Sequence, residues 1–399
     1  MSKLEKLIQQ YCPDGVEYVR LVDYVNVLYG CPFDATQFTD DNSFIPLIRI
    51  RDILSGKAGT YYKGDYSQDY IIKKGDILVG MDGNFNLGIW NDIDGLLCQR
   101  VCKLYTKDET RLLNGFIRHY MKPVFRQIEE STPGGSVKHL SAKAIKSIRI
   151  PLPPLPVQEE IVRILDAFTE LQAELQAELQ KRQQQYNFYR DNLLNFNRGG
   201  QEIKWMKMSD VFEIRNGYTP SKANNDFWEG GTIPWFRMED IRQNGRILSD
   251  SISHITPKGV KGKGLFSANS FIIATTATIG EHALLIADSL ANQQFTNLKI
   301  RKSLEKELSI KFFYYYLFII DEWCKSNINL SNFASVDMVK FNNLRIPIPP
   351  LEEQNRIVSI LDRFDTLTND LTSGLPAEME KRRQQYEYYR DRLLTFKRL

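Results

Sequence analysis

The sequence predicts an α+β chain: two mixed α/β segments alternate with two long helices that pair antiparallel as a coiled coil, the whole forming a pseudo-two-fold internal repeat. Three observations predict it. A helical stretch is duplicated almost unchanged, the segments between the copies match faintly but in the same order, and the apolar positions of the duplicated stretch recur at steps of three and four. At roughly 100–200 residues per domain, the chain is long enough for two or three units, each with its own core.

The repeat is read directly. IRIPLPPLPVQEEIVRILD at 148–166 returns as LRIPIPPLEEQNRIVSILD at 344–362, an offset of 196, and KRQQQYNFYRDNLLNF at 181–196 returns as KRRQQYEYYRDRLLTF at 381–396, an offset of 200. The second copy therefore carries four extra residues between its blocks. In the intervening segments Tyr18, Asp23 and Gly30 stand where Trp205, Asp210 and Gly217 stand later, IPLIRIRDI (45–53) parallels IPWFRMEDI (233–241), and the Gln99 region parallels Gln293. The boundaries that follow are an N-terminal helix at 1–15, a globular segment at 16–147, a helical region at 148–199, a second globular segment at 202–343 and a second helical region at 344–399.

The helical regions justify themselves by spacing. In the first copy Val157, Ile161, Ile164, Phe168, Leu171, Leu175, Leu179 and Tyr186 form a seam alternating three and four, with a stutter at Leu171, Leu175 and Leu179. In the second, Ile357, Ile360, Phe364, Leu367, Leu371 and Tyr386 follow the same rule, and Gly374 and Pro376 predict a kink or a bulged turn. A stripe of this kind is often ordinary core. Its length, roughly 40 residues or some 60 Å at about 1.5 Å per residue, argues instead that the helices pair with each other and hold the globular segments apart. Within those segments, the apolar runs 71–80 and 267–280 read as strands and turns, with helices near 111–128 and 304–326.

Composition narrows the function classes. With 52 Lys and Arg against 49 Asp and Glu the net charge is +3, so a nucleic-acid surface has to be local rather than global. Five cysteines without framework spacing favour a reduced, cytoplasmic setting without disulfides. The most apolar stretch, 312–320, is about nine residues where a membrane span needs about 20, so a soluble protein with no membrane partner is expected.

Catalytic fingerprints are missing from the sequence. Gly59 and Gly64 have phosphate-loop spacing, but Asp65 follows where Lys is required. No G-x-G-x-x-G follows a strand, and no Asn/Asp-Pro-Pro-aromatic tetrapeptide occurs. The four histidines (119, 139, 254 and 282) have no metal-ligand spacing, and Cys98 and Cys102 read as buried thiols. No catalytic residue, metal site or cofactor is expected in this chain.

Binding chemistry is more visible. Arg49, Arg51 and Lys57 precede Tyr61, Tyr62 and Lys63, which interleave aromatic and basic groups, and Lys73 and Lys74 follow. In the second globular segment Arg237, Arg242 and Arg246 take comparable places, and Lys258, Lys261 and Lys263 lie in the glycine-rich PKGVKGKG. Each cluster alone is equally compatible with solvated surface; recurrence in both segments favours a nucleic-acid face. Asparagine suits adenine edges, which makes Asn84, Asn86, Asn224 and Asn225 candidate base readers.

The duplicated R-I-P-[LI]-P-P-L, I-V-x-I-L-D and K-R-x-Q-Q-Y-x-[FY]-Y-R-D-x-L-L-x-F motifs, with two divergent globular segments between them, resemble the specificity (S) subunit of a type I restriction-modification system over essentially the whole chain. The resemblance implies two target-recognition domains, each reading half of a split site in double-stranded DNA, and two spacer helices. It implies as partners two modification subunits, which bring S-adenosylmethionine and methylate adenine, and restriction/translocase subunits, which bring ATP and Mg. Two other readings stay open: a free-standing pseudo-dimeric DNA-binding protein, and a scaffold that binds protein rather than DNA.

Overall fold

A computed structural model describes residues 2–132, 138–196, 203–330, 334–369 and 373–399. The chain divides into two units, residues 1–176 with 379–399 and residues 177–378. Both divisions fall inside helices, Leu155–Leu193 and Leu375–Leu393.

The first unit opens with the helix Lys3–Tyr11. Ser2 Oγ accepts from the Glu5 amide at 3.2 Å and the Glu5 carboxylate accepts from the Ser2 amide at 2.7 Å, a reciprocal cap that fixes the start. Strand Tyr18–Arg20 then pairs with Arg149–Pro151. An antiparallel sheet follows in the order 25–29, 101–106, 77–80, 87–89, beside a mixed sheet in the order 38–39, 61–62, 45–48, 95–97, 71–72. The expected run 71–80 is thus two strands. Gly75, at φ +95°, makes the turn between them.

Phe116, Ile117, Met121 and Phe125 of helix Asn114–Ser131 enter one core with Val157, Ile161 and Leu165 of the long helix and with Tyr386 and Leu394 of the last. The tail closes on the start: the Val16 amide donates to Lys397 O at 2.9 Å and the Leu399 amide to Val16 O at 3.2 Å. An N-terminal segment packed near the end of the second helical copy is what the repeat leads one to expect.

The second unit repeats the plan. Strand Lys204–Lys207 pairs with Arg345–Ile348, and a five-stranded sheet runs 212–216, 295–300, 270–274, 282–285, 247–248. Strand 233–236 pairs in parallel with 290–291, as 45–48 does with 95–97 in the first unit. Helix Ile310–Ser326 and helix Leu351–Asn369 complete its core through Phe312, Phe313, Leu317, Ile357 and Leu361.

A buried glutamine marks the same junction in each unit. Gln158 Oε1 accepts from the Leu113 amide at 2.9 Å, and its amide nitrogen donates to Arg111 O and Pro153 O at 2.9 and 2.7 Å. Gln354 repeats this with Ser309, Glu307 and Pro349 at 2.8, 3.0 and 2.8 Å. Each satisfies the free backbone groups where a Pro-rich strand end meets the two helices.

The helical seam differs from the expectation in detail. Leu165 and Leu361 are fully buried, whereas Ile164 and Ile360 are half-buried. Val157, Ile161 and Leu165 are spaced four and four, so this stretch turns a face of ordinary helical period toward the globular core rather than a strict coiled-coil seam. Phe168, Leu171, Leu175, Leu179 and Phe364 are half-buried, and Leu367 is 37% exposed. Away from the globular segment a helix has fewer neighbours to cover it. Tyr186 and Tyr386 are buried, and Leu371 lies outside the described residues. The four extra residues lie between the matching blocks 344–362 and 381–396, the stretch in which one described helix ends at Asn369 and the next begins at Leu375.

Candidate nucleic-acid interface

In the first unit the turn between strands 95–97 and 101–106 carries Gln99 and Arg100. Gly30 lets it sit close: its amide donates to Val101 O at 2.9 Å, and a Cβ there would lie 2.0 Å from Cys98 O. Arg100 adopts φ +72°, which is uncommon outside glycine. Asp82 holds it with Oδ2 at 3.2 Å from Arg100 Nε, while Asp82 Oδ1 meets His139 Nδ1 at 2.5 Å.

The turn faces a cleft of about 600 Å³ lined in part by Phe33, Phe38, Arg49, Arg51, Gln99 and Arg100. Buried Asp52 shapes this rim by accepting the amides of Arg49 at 2.9 Å and Gly59 at 3.3 Å. The Arg49 guanidinium lies 6.0 Å from the Phe38 ring centre, and Arg51 donates to Thr60 Oγ1 at 2.5 Å. Both arginines remain exposed.

The second unit builds the same frame with other groups on it. The Gly217 amide donates to Phe295 O at 2.8 Å, and a Cβ there would lie 2.2 Å from Asn292 O. Gln293 occupies the turn and accepts from the Thr219 hydroxyl. Asp240, fully buried, accepts the amides of Arg237 at 2.6 Å and Ile252 at 2.7 Å. The Arg237 side chain lies 6.0 Å from the Trp235 ring centre and pairs with Glu239 at 2.9 Å.

The structure sorts the sequence candidates. Lys57, Lys63, Lys73, Lys74, Asn84, Asn225 and Arg242 are exposed, and Tyr61 and Asn86 are half-buried. Tyr62 is not a surface group: strand alternation turns it inward, where it packs on Phe33 and Phe38 at 4.9 and 6.3 Å. Arg246 also points inward, donating to His282 O at 2.9 Å and lying 3.5 Å from buried Asp321, so it belongs to an internal ion pair. Asn224 accepts from the Asp226 amide at 3.1 Å as the cap of a short helical turn. Lys258 pairs with Asp226 at 2.8 Å, and Lys261 lies 4.9 Å over the Tyr218 ring.

Sequence reasoning missed Arg215, which binds the carbonyls of Lys263, Gly264 and Leu265. Burial pulls its guanidinium below the ordinary value, and three carbonyl acceptors compensate the desolvated charge. It also passed over Gln99 and Gln293 as presented groups, although their equivalence in the repeat was a usable signal. The five cysteines are free thiols, four of them buried. Among the described residues no His/Cys/Asp/Glu group could hold a metal ion, and no helix is long and apolar enough to cross a membrane.

A family described as the type I restriction modification DNA specificity domain matches residues 13–182 and again 201–381. The chain belongs to this specificity family. The two matches straddle the two copies of the repeat, as a duplicated specificity domain requires. The EcoR124I/EcoR124II specificity subunit of Escherichia coli is 36% identical over 327 residues, 77% of each chain. The E. coli EcoprrI specificity subunit is 51% identical over 205 residues, which span about half of either protein. Among solved structures, the type I S subunit from M. genitalium covers 96% of this chain and 97% of its own, at 13% identity and a TM-score of 0.55. A chain solved in work on complex assembly of the type I R-M system covers 96% and 98%, at 20% identity and a TM-score of 0.60. These two likenesses speak to the fold: α/β specificity domains joined to long helices.

Proposed function

We propose that this chain recognises a bipartite, asymmetric DNA site and recruits the catalytic subunits of a type I complex. Residues 16–147 act as the first target-recognition domain and 202–343 as the second, with 148–199 and 344–399 as spacer regions. The observation that carries the reading is repetition of the frame with divergence of what it presents. Gly30 and Gly217, Asp52 and Asp240, and Gln99 and Gln293 recur, while Arg51 and Arg100 in the first unit give way to Glu239 and Gln294 in the second. Two similar readers with different faces suit a site with two different halves.

Partner docking falls on the segments that did not diverge. Phe188 and Tyr388 are 65% and 60% exposed, and each meets its neighbour edge-on, Tyr189 at 5.7 Å and Tyr389 at 5.4 Å. An exposed aromatic pair repeated in both copies suits two identical modification subunits, since aromatic anchors dominate interface energetics. Those subunits bring S-adenosylmethionine and methylate adenine; restriction/translocase subunits bring ATP and Mg. This chain holds no catalytic group and works in the cytoplasm.

The test is to express the chain with its modification subunit and map methylated adenines across the host genome. A two-part motif is expected, and exchanging residues 16–147 for those of a relative should change one half only. A change in both halves would overturn the two-reader assignment. The purified chain alone should show no methyltransferase, ATPase or nuclease turnover.

A further inference from the structure

We propose that residues 257–264 form a preassembled phosphate clamp for duplex DNA, in which Lys261 and Lys263 face the anion and Arg215 and Tyr218 are positioning residues. The proposal rests on the DNA-recognition reading above and deepens it.

A loop containing Gly259, Gly262 and Gly264 is expected to be costly to order, at about 1–2 kcal/mol per residue for the backbone. Here the ordering is already done. Arg215, on the edge strand Phe212–Asn216, donates to Lys263 O, to Gly264 O at 3.2 Å and to Leu265 O at 2.9 Å, with its guanidinium 4.8 Å from the Phe266 ring centre. Tyr218 ties the other side, its hydroxyl accepting from the Lys261 amide at 2.7 Å and donating to Gly259 O at 3.2 Å. Four residues of the loop are held by two side chains about 40 to 50 positions away in sequence.

The glycines separate fold from function. Gly264 sits at φ +67°, so the turn itself calls for glycine. Gly262 has no such conformation, and a Cβ there would meet nothing within 4 Å. Packing does not require glycine at 262. A glycine there leaves the backbone open to close approach by a phosphate.

The charges point the same way. Lys258 is neutralised by Asp226 at 2.8 Å, and the Arg215 charge lies against carbonyls. Lys261 and Lys263 are exposed, and among the described residues neither has a carboxylate within 4.0 Å. They border a cleft of about 650 Å³, whose other walls include Asn216, Tyr218 and Phe266. Two ammonium groups without a carboxylate partner, Lys261 over the Tyr218 ring and Lys263 beside it on a fixed glycine turn, make a site for adjacent DNA backbone oxygens, positioning the duplex without reading bases.

The test uses the full chain assembled with its modification subunit and a random-sequence DNA duplex, with affinity measured across a salt series. The double variant Lys261→Ala/Lys263→Ala should lower the slope of log K against log salt by about 1.8, at about 0.9 per lost phosphate contact, and weaken all sequences alike. Lys261→Gln/Lys263→Gln should do the same, and Lys258→Ala should leave the slope unchanged. Arg215→Met should lower affinity several-fold at every salt concentration with the wild-type slope, and Arg215→Lys, which keeps donors for the carbonyls, should restore most of it. An unchanged slope in both lysine double variants of a protein that binds DNA would overturn the clamp. A slope loss of about 0.9 in Arg215→Met would make that residue a phosphate contact and overturn its positioning role. If the wild-type assembly itself bound the duplex without salt dependence, the DNA-recognition reading would fail, and the clamp with it.

Discussion

Phe168 stacks on Tyr389 with ring centroids 5.4 Å apart and planes 25° from parallel. Its counterpart in the second unit, Phe364 on Tyr189, has the same 5.4 Å separation and 24° between planes. In each unit the first half of one helical copy therefore meets the second half of the other copy. The two copies thus meet each other in both units through the same aromatic pair.

The stack should be measurable as a coupling. Phe168→Ala and Tyr389→Ala are each expected to destabilise the first unit, and their double-mutant cycle should give about 1 kcal/mol of interaction, within the range for aromatic pairs. Urea denaturation with a fixed m-value is the measurement. Additive losses would show that the rings merely share a surface.

Replacing Gln158 by Leu keeps the volume but removes three bonds at a fully buried position. The Leu113 amide and the Arg111 and Pro153 carbonyls lose their partner, which should cost about 3–9 kcal/mol at about 1–3 kcal/mol for each of the three orphaned groups. Gln354→Leu should cost a similar amount in the second unit. A urea midpoint unmoved by either change would remove the junction from the list of determinants.

Acid sensitivity is expected in the first unit. His119 is 3% exposed. Its Nε2 lies 2.6 Å from Asp166 and its Nδ1 3.2 Å from the Tyr386 hydroxyl, with Arg118 bonded to the same aspartate. Burial pulls the imidazole below its ordinary 6.5, against an upward pull from Asp166 and with Arg118 and Lys122 adding to the fall. The folded state then binds fewer protons than the unfolded chain, so stability is full above pH 6.5 and declines as pH drops below it. His119→Gln should flatten that decline, read as urea midpoints between about pH 7 and 5. An identical pH profile in the variant would refute the assignment.

The spacer should set the gap between half-sites. Residues 172–179 are two tandem copies of Gln-Ala-Glu-Leu within one unbroken helix. A third copy adds about 6 Å of rise, and each base pair occupies about 3.4 Å. The methylated motif should keep its bases in both halves and gain one or two unspecified base pairs between them. Full activity with the old gap would mean the insertion is absorbed at the stutter.

Much of this architecture was legible because the chain states it twice. The duplicated helices, the equivalence of Gly30 with Gly217 and the break at Gly374 and Pro376 all come from aligning the chain with itself and asking what each residue tolerates. The seam was legible only to within one position. Ile164 and Leu165 differ in which neighbour they face, and that depends on whether the helix lies against another helix or a globular core. Tyr62 was misplaced because a two-residue strand is too short to show alternation. Arg246 and Arg215 are both arginines in polar company, yet one reaches Asp321 and the other three carbonyls at 263–265. Contacts between distant segments have no period, so neither fate could be read from local pattern.

The pairing of Val16 with Lys397 and Leu399 has a consequence for how the molecule is made. Residues 379–399 complete a core that begins with Leu4, so the unit whose chain emerges first from the ribosome is finished last. Until then Leu112, Phe116, Ile161 and their neighbours wait without Tyr386 and Leu394, while residues 177–378 are a contiguous stretch that contains all the partners of its main core. Vectorial synthesis normally favours the leading domain; here the order of completion is reversed, and the nascent leading half is the part with the longest exposure of unfinished apolar surface.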